Sequence, residues 1–226
     1  MTYKTETHLH TKESSACSYV GAQDIVEIYK RRGYQTIIVT PHYNYGYLKR
    51  ITEDWNERID YLLTGYKKAK KLGDILGVNV LLGLELALLQ TKSDYLIYGM
   101  TEEFLRENPN LYYLSIDELI ALCKENNFLL VGAHPFREGM ELIDPKYNIP
   151  IEVFNGRHTL DAKNEVAKEY AKEHNLIGIS GTDFHEVEDL EGGIITYKEI
   201  KSIEDFRDVV LNREFEIIES NRKQFK

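Results

Sequence analysis

Two residue pairs with i, i+2 spacing stand far apart in the sequence. One is His8 and His10 in THLHT; the other is Asp183 and His185 in GTDFH. On an extended strand such pairs face the same side, so each can present two donor groups to one point. Between them lie His42 in VTPHYN, Glu85 in GLELAL, His134 in VGAHP, and Glu152 with Asn155 in IEVFN. Imidazole and carboxylate suit Zn²⁺, Mn²⁺ or Fe²⁺. The seven candidates His8, His10, His42, Glu85, His134, Asp183 and His185 exceed the three or four ligands that one ion takes. They imply two or three divalent ions and a bridging carboxylate. Glu85, flanked by leucines, is the expected bridge. Such a centre can polarise a phosphoryl oxygen, make hydroxide from water near neutral pH and stabilise attacking and leaving oxygens.

These residues converge only if the elements carrying them do. The run QTIIVT (35–40) reads as a strand, preceded by the amphipathic stretch 22–33, which ends on a glycine. A helix is expected over 53–76, then apolar strands at 78–88 and 93–99. Ser115 with Glu118 forms a capping-box signature for a helix over 115–127. Strands follow at 128–135, 149–156 and 176–185, with a helix at 160–175 between the last two; a helix at 202–212 and a strand at 214–220 complete the pattern. Alternating apolar strands and helices imply an α/β fold with parallel strands. About seven such units favour a barrel over an open sheet, and a glycine-rich phosphate loop after the first strand is lacking. Each candidate then falls near the C-terminal end of a strand, on the rim where barrel active sites sit.

The 226 residues carry no low-complexity stretch or linker and read as one domain, 1–226. A formal net charge of −9 disfavours extended polynucleotides as partners. Two cysteines, Cys17 and Cys123, without Cys-x-x-Cys fit a reducing compartment. With no secretory leader and no bilayer-length apolar run, the expectation is a cytoplasmic protein without a membrane partner. The sequence leaves the oligomeric state open.

The motifs THLHT (7–11), TPH (40–42), GAHP (132–135) and GTDFH (181–185), with Glu85 in GLEL, resemble those of the PHP (polymerase and histidinol phosphatase) domain family. The resemblance implies a distorted (β/α)7 TIM-like barrel, two or three metal ions and phosphoester hydrolysis. By motif, His8, His10, Glu85 and Asp183 would hold one ion, Glu85 and His134 a second, and His42 and His185 a third. Two departures stand out. Family members often place Asp or His five or six residues after the second motif histidine, where this chain has Ser15 and Ala16; Glu13 is the nearest carboxylate. Members also often supply a histidine between the glutamate and the HP motif. Here Asp94 is the stand-in, although it lies on the N-terminal side of its strand.

The function expected is phosphomonoester hydrolysis on a small phosphorylated substrate, with His42, His185 and Asp183 as catalytic groups. Arg137, Arg157 and Lys12 are candidate phosphate contacts, and Asn155 a candidate substrate or supporting group. The loop carrying Tyr43, Tyr45 and Tyr47 could cap a substrate or simply pack against the barrel. Cys17 is expected to be a small buried residue, His174 a solvated helix-end residue, and His158 either. Three alternatives stay open: a phosphodiesterase acting on short oligonucleotides, an amidohydrolase-type C–N hydrolase, and a non-catalytic metal-binding module.

Overall fold

The computed structural model describes residues 1–157 and 161–220. Its strands are β1 (Tyr3–Leu9), β2 (Thr36–Val39), β3 (His42–Tyr43), β4 (Asn79–Ala87), β5 (Asp94–Tyr98), β6 (Leu129–Gly132), β7 (Ile151–Asn155), β8 (Gly178–Gly181), β9 (Ile194–Thr196) and β10 (Glu216–Ile217). The helices are α1 (Ala22–Arg31), α2 (Tyr45–Leu48), α3 (Trp55–Leu76), α4 (Glu102–Glu107), α5 (Ile116–Glu125), α6 (Asn164–Glu173) and α7 (Ile203–Leu211). Local chemistry explains their limits. Asp54 caps α3, which stops at left-handed Gly77; Ser115 and Glu118 form the expected capping box of α5. Helix α1 buries Ala22, Ile25, Val26 and Tyr29, one face at helical spacing.

The sheet order is β10-β9-β1-β2-β4-β5-β6-β7-β8, with β3 beside β4. A parallel bridge joins Leu9 to Phe184, and Thr7 Oγ1 donates to the Ser180 carbonyl over 2.6 Å, so β8 comes back against β1. The result is a nearly closed barrel-shaped sheet with helices packed on it, an α/β fold. The buried Glu6 carboxylate ties this seam. It accepts the N–H groups of Thr7, His8 and Thr182 and the hydroxyls of Tyr29 and Thr182. Burial raises its pKa against the pull of those bonds.

The expectation of parallel strands throughout needs correction. β5 runs antiparallel to both neighbours, and β9 runs antiparallel to β1 and β10. Only residues 88–93 separate β4 from β5, too short for the crossover that parallel strands need. The register pairs Glu85 with Leu96 and Ala87 with Asp94. The start of β5 therefore lies beside the end of β4, which has consequences for the site. No helix among the described residues is long and apolar enough to cross a membrane.

Gly181, the last residue of β8, leaves no room for a side chain. A Cβ there would sit 2.6 Å from both Glu152 Oε1 and His8 Cβ. Gly181→Ala should therefore destabilise the fold by about 1–3 kcal/mol. Urea denaturation with an unchanged midpoint would contradict this.

Candidate metal centre

Strand β1 carries His8 and, one residue beyond its end, His10, both fully buried, with their Nε2 atoms 3.1 Å apart. Glu85 on β4 faces them. Its Oε1 lies 3.5 Å from His8 Nε2 and 2.9 Å from His134 Nε2. Its Oε2 lies 3.4 Å from His10 Nε2 and 2.5 Å from His42 Nδ1. One carboxylate thus spans four imidazoles. From the other side, Asp183 Oδ1 comes to 3.6 Å from His8 Nε2 and 3.3 Å from His10 Nε2. The His10 ring stacks on His42 at 4.0 Å and lies 4.5 Å from His185. All seven candidates read from the motifs are brought together.

His134 and Asp183 both sit in the left-handed region, at φ +27° and +55°. Side chains rarely adopt it without compensation, and such residues cluster at functional sites. Here the surroundings hold them. The His134 N–H donates to Glu152 Oε2 over 2.9 Å, and Asn155 Nδ2 reaches Asp183 Oδ2 at 3.2 Å.

Among the described residues, three donor groups could each hold a cation: His8, His10 and Glu85; Glu85, Asp94 and His134; and His10, His42 and His185. Within each, one ligand atom per residue lies within 4.8 Å of the others. The all nitrogen-and-oxygen donor sets fit divalent ions. The Nδ1 atoms of His10 and His134 are buried with no hydrogen-bond partner among the described residues. These atoms lie away from Glu85; it is the Nε2 atoms of both rings that turn toward its carboxylate, as ligand atoms would. Asp94 belongs to the second group because β5 is reversed. The objection from its place at the strand's N-terminal end holds only for a parallel strand.

The electrostatics follow from burial and charge. Burial alone would depress His42, but Glu85 and the contact with Cys17 raise it to about 10. Burial also opposes charge on His8 and His134, and the surrounding carboxylates raise both nevertheless. His10, buried and beside His42, falls to about 4. Burial works against the Glu85 and Asp183 charges, yet neighbouring histidines hold both below the usual carboxylate range. Without metal, then, the cluster holds protons that ligation must displace. Metal binding near pH 7.5 should release at least one proton per chain, and apparent affinity should rise as pH increases toward 10. Calorimetric titration with Zn²⁺ in buffers of differing ionisation enthalpy measures this; a buffer-independent heat would refute it.

Two adjoining cavities, of about 510 and 490 Å³, open over the cluster and share Cys17, His42, Glu85, Asp94 and Arg137. Arg157 lines the first; Asn44, Tyr47 and Arg50 line the second. Arg137 and Arg157 thus stand where a phosphate could meet them. Other expectations change. Lys12 is exposed with its stem beside Gly21 and lines neither cavity. Glu13 accepts the Ala22 N–H at 3.0 Å and lies 3.7 Å from Lys68 Nζ. It serves the start of α1, where unpaired N–H groups attract a carboxylate, rather than the donor cluster. Asn155 is buried and touches Glu152 and Asp183, so it supports the site from behind. Tyr43 is core, packed on Trp55 and Tyr112, and Tyr45 packs on Tyr112 and Tyr113; Tyr47 is the cavity-lining member of the three. His174 is an exposed helix-end residue, and His158 lies outside the described residues.

Two residues carry more than the sequence reading gave them. Cys17 is exposed rather than buried, with Sγ 3.3 Å from His42 Nε2 and 3.1 Å from His185 Nε2. Glu152 Oε1 accepts from His8 Nδ1 at 2.9 Å, in addition to its bond with the His134 N–H. Its signal in the sequence was an acid inside the apolar run IEVF, the same signal that Glu85 gives.

The profile of the PHP domain family matches residues 6–223. A search of curated proteins found no match. Among solved structures, a two-domain protein of Bacteroides vulgatus ATCC 8482, described as containing a predicted PHP-like metal-dependent phosphoesterase, superposes with a TM-score of 0.68 at 17% identity. That match covers 96% of this chain and 65% of the other, so the present chain spans about two-thirds of its relative's length. PsfC from Pseudomonas syringae PB-5123 gives a TM-score of 0.69 at 15% identity, covering 98% and 93%. An amidohydrolase from Chromobacterium violaceum, solved with sulfate and no metal, gives 0.52 at 14%, covering 98% and 99%. At these identities the likeness is one of fold.

Proposed function

Since the chain belongs to the PHP domain family, whose profile spans it almost from end to end, we propose that it is a metal-dependent hydrolase of phosphate esters, acting on phosphomonoesters. The observation that carries this reading is the donor cluster opening on a cavity lined by Arg137 and Arg157. In the proposal, His8, His10, Glu85 and Asp183 hold one ion. Glu85, His134 and Asp94 hold a second, and His42 and His185 belong to a third position. Bound divalent ions supply positive charge for the phosphoryl oxygens and lower the pKa of water.

The chain's own groups do the rest. Arg137 and Arg157 bind and orient the phosphate, since a guanidinium offers paired donors to two of its oxygens. Their charge offsets, locally, a chain of net charge −9 that would otherwise repel the substrate. Glu152 accepts only, so it keeps a proton on His8 Nδ1 and leaves Nε2 as the donor facing Glu85 and Asp183. The Asp183 carbonyl, 2.7 Å from His185 Nδ1, fixes that ring in the same way. The second cavity, with Tyr47 and Asn44, accommodates the leaving group.

The test is a turnover panel on metal-loaded protein: aryl, sugar and nucleoside monophosphates, an aryl phosphodiester and cyclic amides. Phosphate release from monoesters, abolished by EDTA and restored by Mn²⁺ or Zn²⁺, is the expected result. Cleavage of the diester alone would move the substrate class to diesters. Amine release without phosphate release would favour the C–N hydrolase reading, which the fold shared with the Chromobacterium amidohydrolase keeps in view.

A further inference from the structure

Three side chains from well-separated parts of the chain meet at one edge of the cluster. Cys17 Sγ lies 3.3 Å from His42 Nε2 and 3.1 Å from His185 Nε2. The far side of each ring is already engaged. His185 Nδ1 faces the Asp183 carbonyl at 2.7 Å, and a carbonyl can only accept, so the ring proton sits on Nδ1. Nε2 is then an unprotonated lone pair aimed at the sulfur. His42 Nδ1 faces the Glu85 carboxylate at 2.5 Å, which imposes the same arrangement on a neutral ring. Independently of the cysteine, His42 and His185 fall with the fully buried His10 in a group of donors close enough to share a cation.

We infer that Cys17 is a thiolate ligand at the third metal position, making with His42 and His185 a two-nitrogen, one-sulfur site for a thiophilic ion such as Zn²⁺ or Co²⁺. This rests on the metal-dependent reading of the same centre. The other two donor groups contain only imidazole and carboxylate. Sulfur is soft where carboxylate is hard, so the centre is graded: Mn²⁺ or Fe²⁺ is accepted around Glu85, and a zinc-class ion is favoured at the edge. Ligation by Cys17 exchanges the S–H proton for a metal–sulfur bond, with no change of oxidation state. The position sits one residue beyond the Ser15 and Ala16 at which the family spacing would place a ligand.

Cys123 is the only other cysteine, and it is buried with its thiol pushed up to about 12 by desolvation. Sulfur signals from the folded protein can therefore be assigned to Cys17. Wild-type protein loaded with Co²⁺ should show a sulfur-to-cobalt charge-transfer band in the near ultraviolet that is absent from Cys17→Ser. Bound Zn²⁺ should fall by about one equivalent per chain in that variant. In wild-type protein, Zn²⁺ should slow alkylation of Cys17 by iodoacetamide at least tenfold, followed by peptide mass spectrometry. That last measurement needs no variant. Bound cobalt without the band, or equal alkylation rates with and without Zn²⁺, would overturn the thiolate assignment while leaving the rest of the centre standing. If wild-type protein binds neither ion, the metal-dependent reading falls and takes this inference with it.

Discussion

Glu85→Gln should lower phosphomonoester turnover by roughly 10³-fold or more, with little change in the far-ultraviolet circular dichroism. The expectation follows from how many groups one side chain serves. Glu85 Oε1 faces His8 and His134, while Oε2 faces His10 and His42. An amide of the same size presents one oxygen and one NH₂, so half of its reach turns from acceptor to donor. It also lacks the negative charge that two neighbouring cations would share. The substitution is nearly isosteric, which keeps the packing of β4 between β2 and β5 intact. Phosphate release at saturating metal measures the loss. A variant retaining more than a tenth of wild-type turnover would show that Glu85 does not join two ions.

Glu152→Gln should weaken metal affinity by about 10- to 100-fold although Glu152 belongs to none of the three donor groups. Oε1 takes the proton of His8 Nδ1 and Oε2 takes the backbone N–H of His134. Both partners require an acceptor, and an amide has only one. If its NH₂ faces His134, two donors meet in a buried space. If it faces His8, the ring proton moves to Nε2, the atom directed at Glu85 and Asp183. The first arrangement costs about 1–3 kcal/mol in stability; the second disables a ligand. Competition of the protein with a chromophoric chelator for Zn²⁺ gives the affinity, and urea denaturation gives the stability. If neither moves, Glu152 has no part in orienting His8.

Much of this was legible in the sequence because each donor interrupts an apolar run or ends one. His8 and His10 announce themselves by i, i+2 spacing at the end of β1, and Glu85 by its leucine neighbours; Asp183 and His185 share that spacing but lie past the end of β8, with Asp183 left-handed rather than extended. What the sequence hid depends on chain direction and loop path. Asp94 looked misplaced because strand polarity is a property of the sheet, and the short 88–93 connection is what reverses β5. Cys17 lies in a loop with no periodicity, so nothing local says that its sulfur reaches two histidines, on residues 42 and 185. Glu13 was attractive by proximity in sequence, but proximity to the start of α1 decided its partner. The fold class was readable from alternation; the two reversals in the sheet were not, because an apolar strand reads alike in either direction.

The seam between β1 and β8 bears on how the molecule reaches this state. Thr7 and Ser180 bond across 173 positions of chain, and Glu6 meets Thr182 across 176. Contacts of such long range make loop closure expensive and folding slow. The seam joins the strands that carry His8 and lead to Asp183, so a chain still being synthesised lacks Asp183 and His185, the final two of the seven candidate ligands, until its last fifth emerges. Binding of an ion between His8, His10 and Asp183 during refolding would accordingly report that β1 and β8 have met.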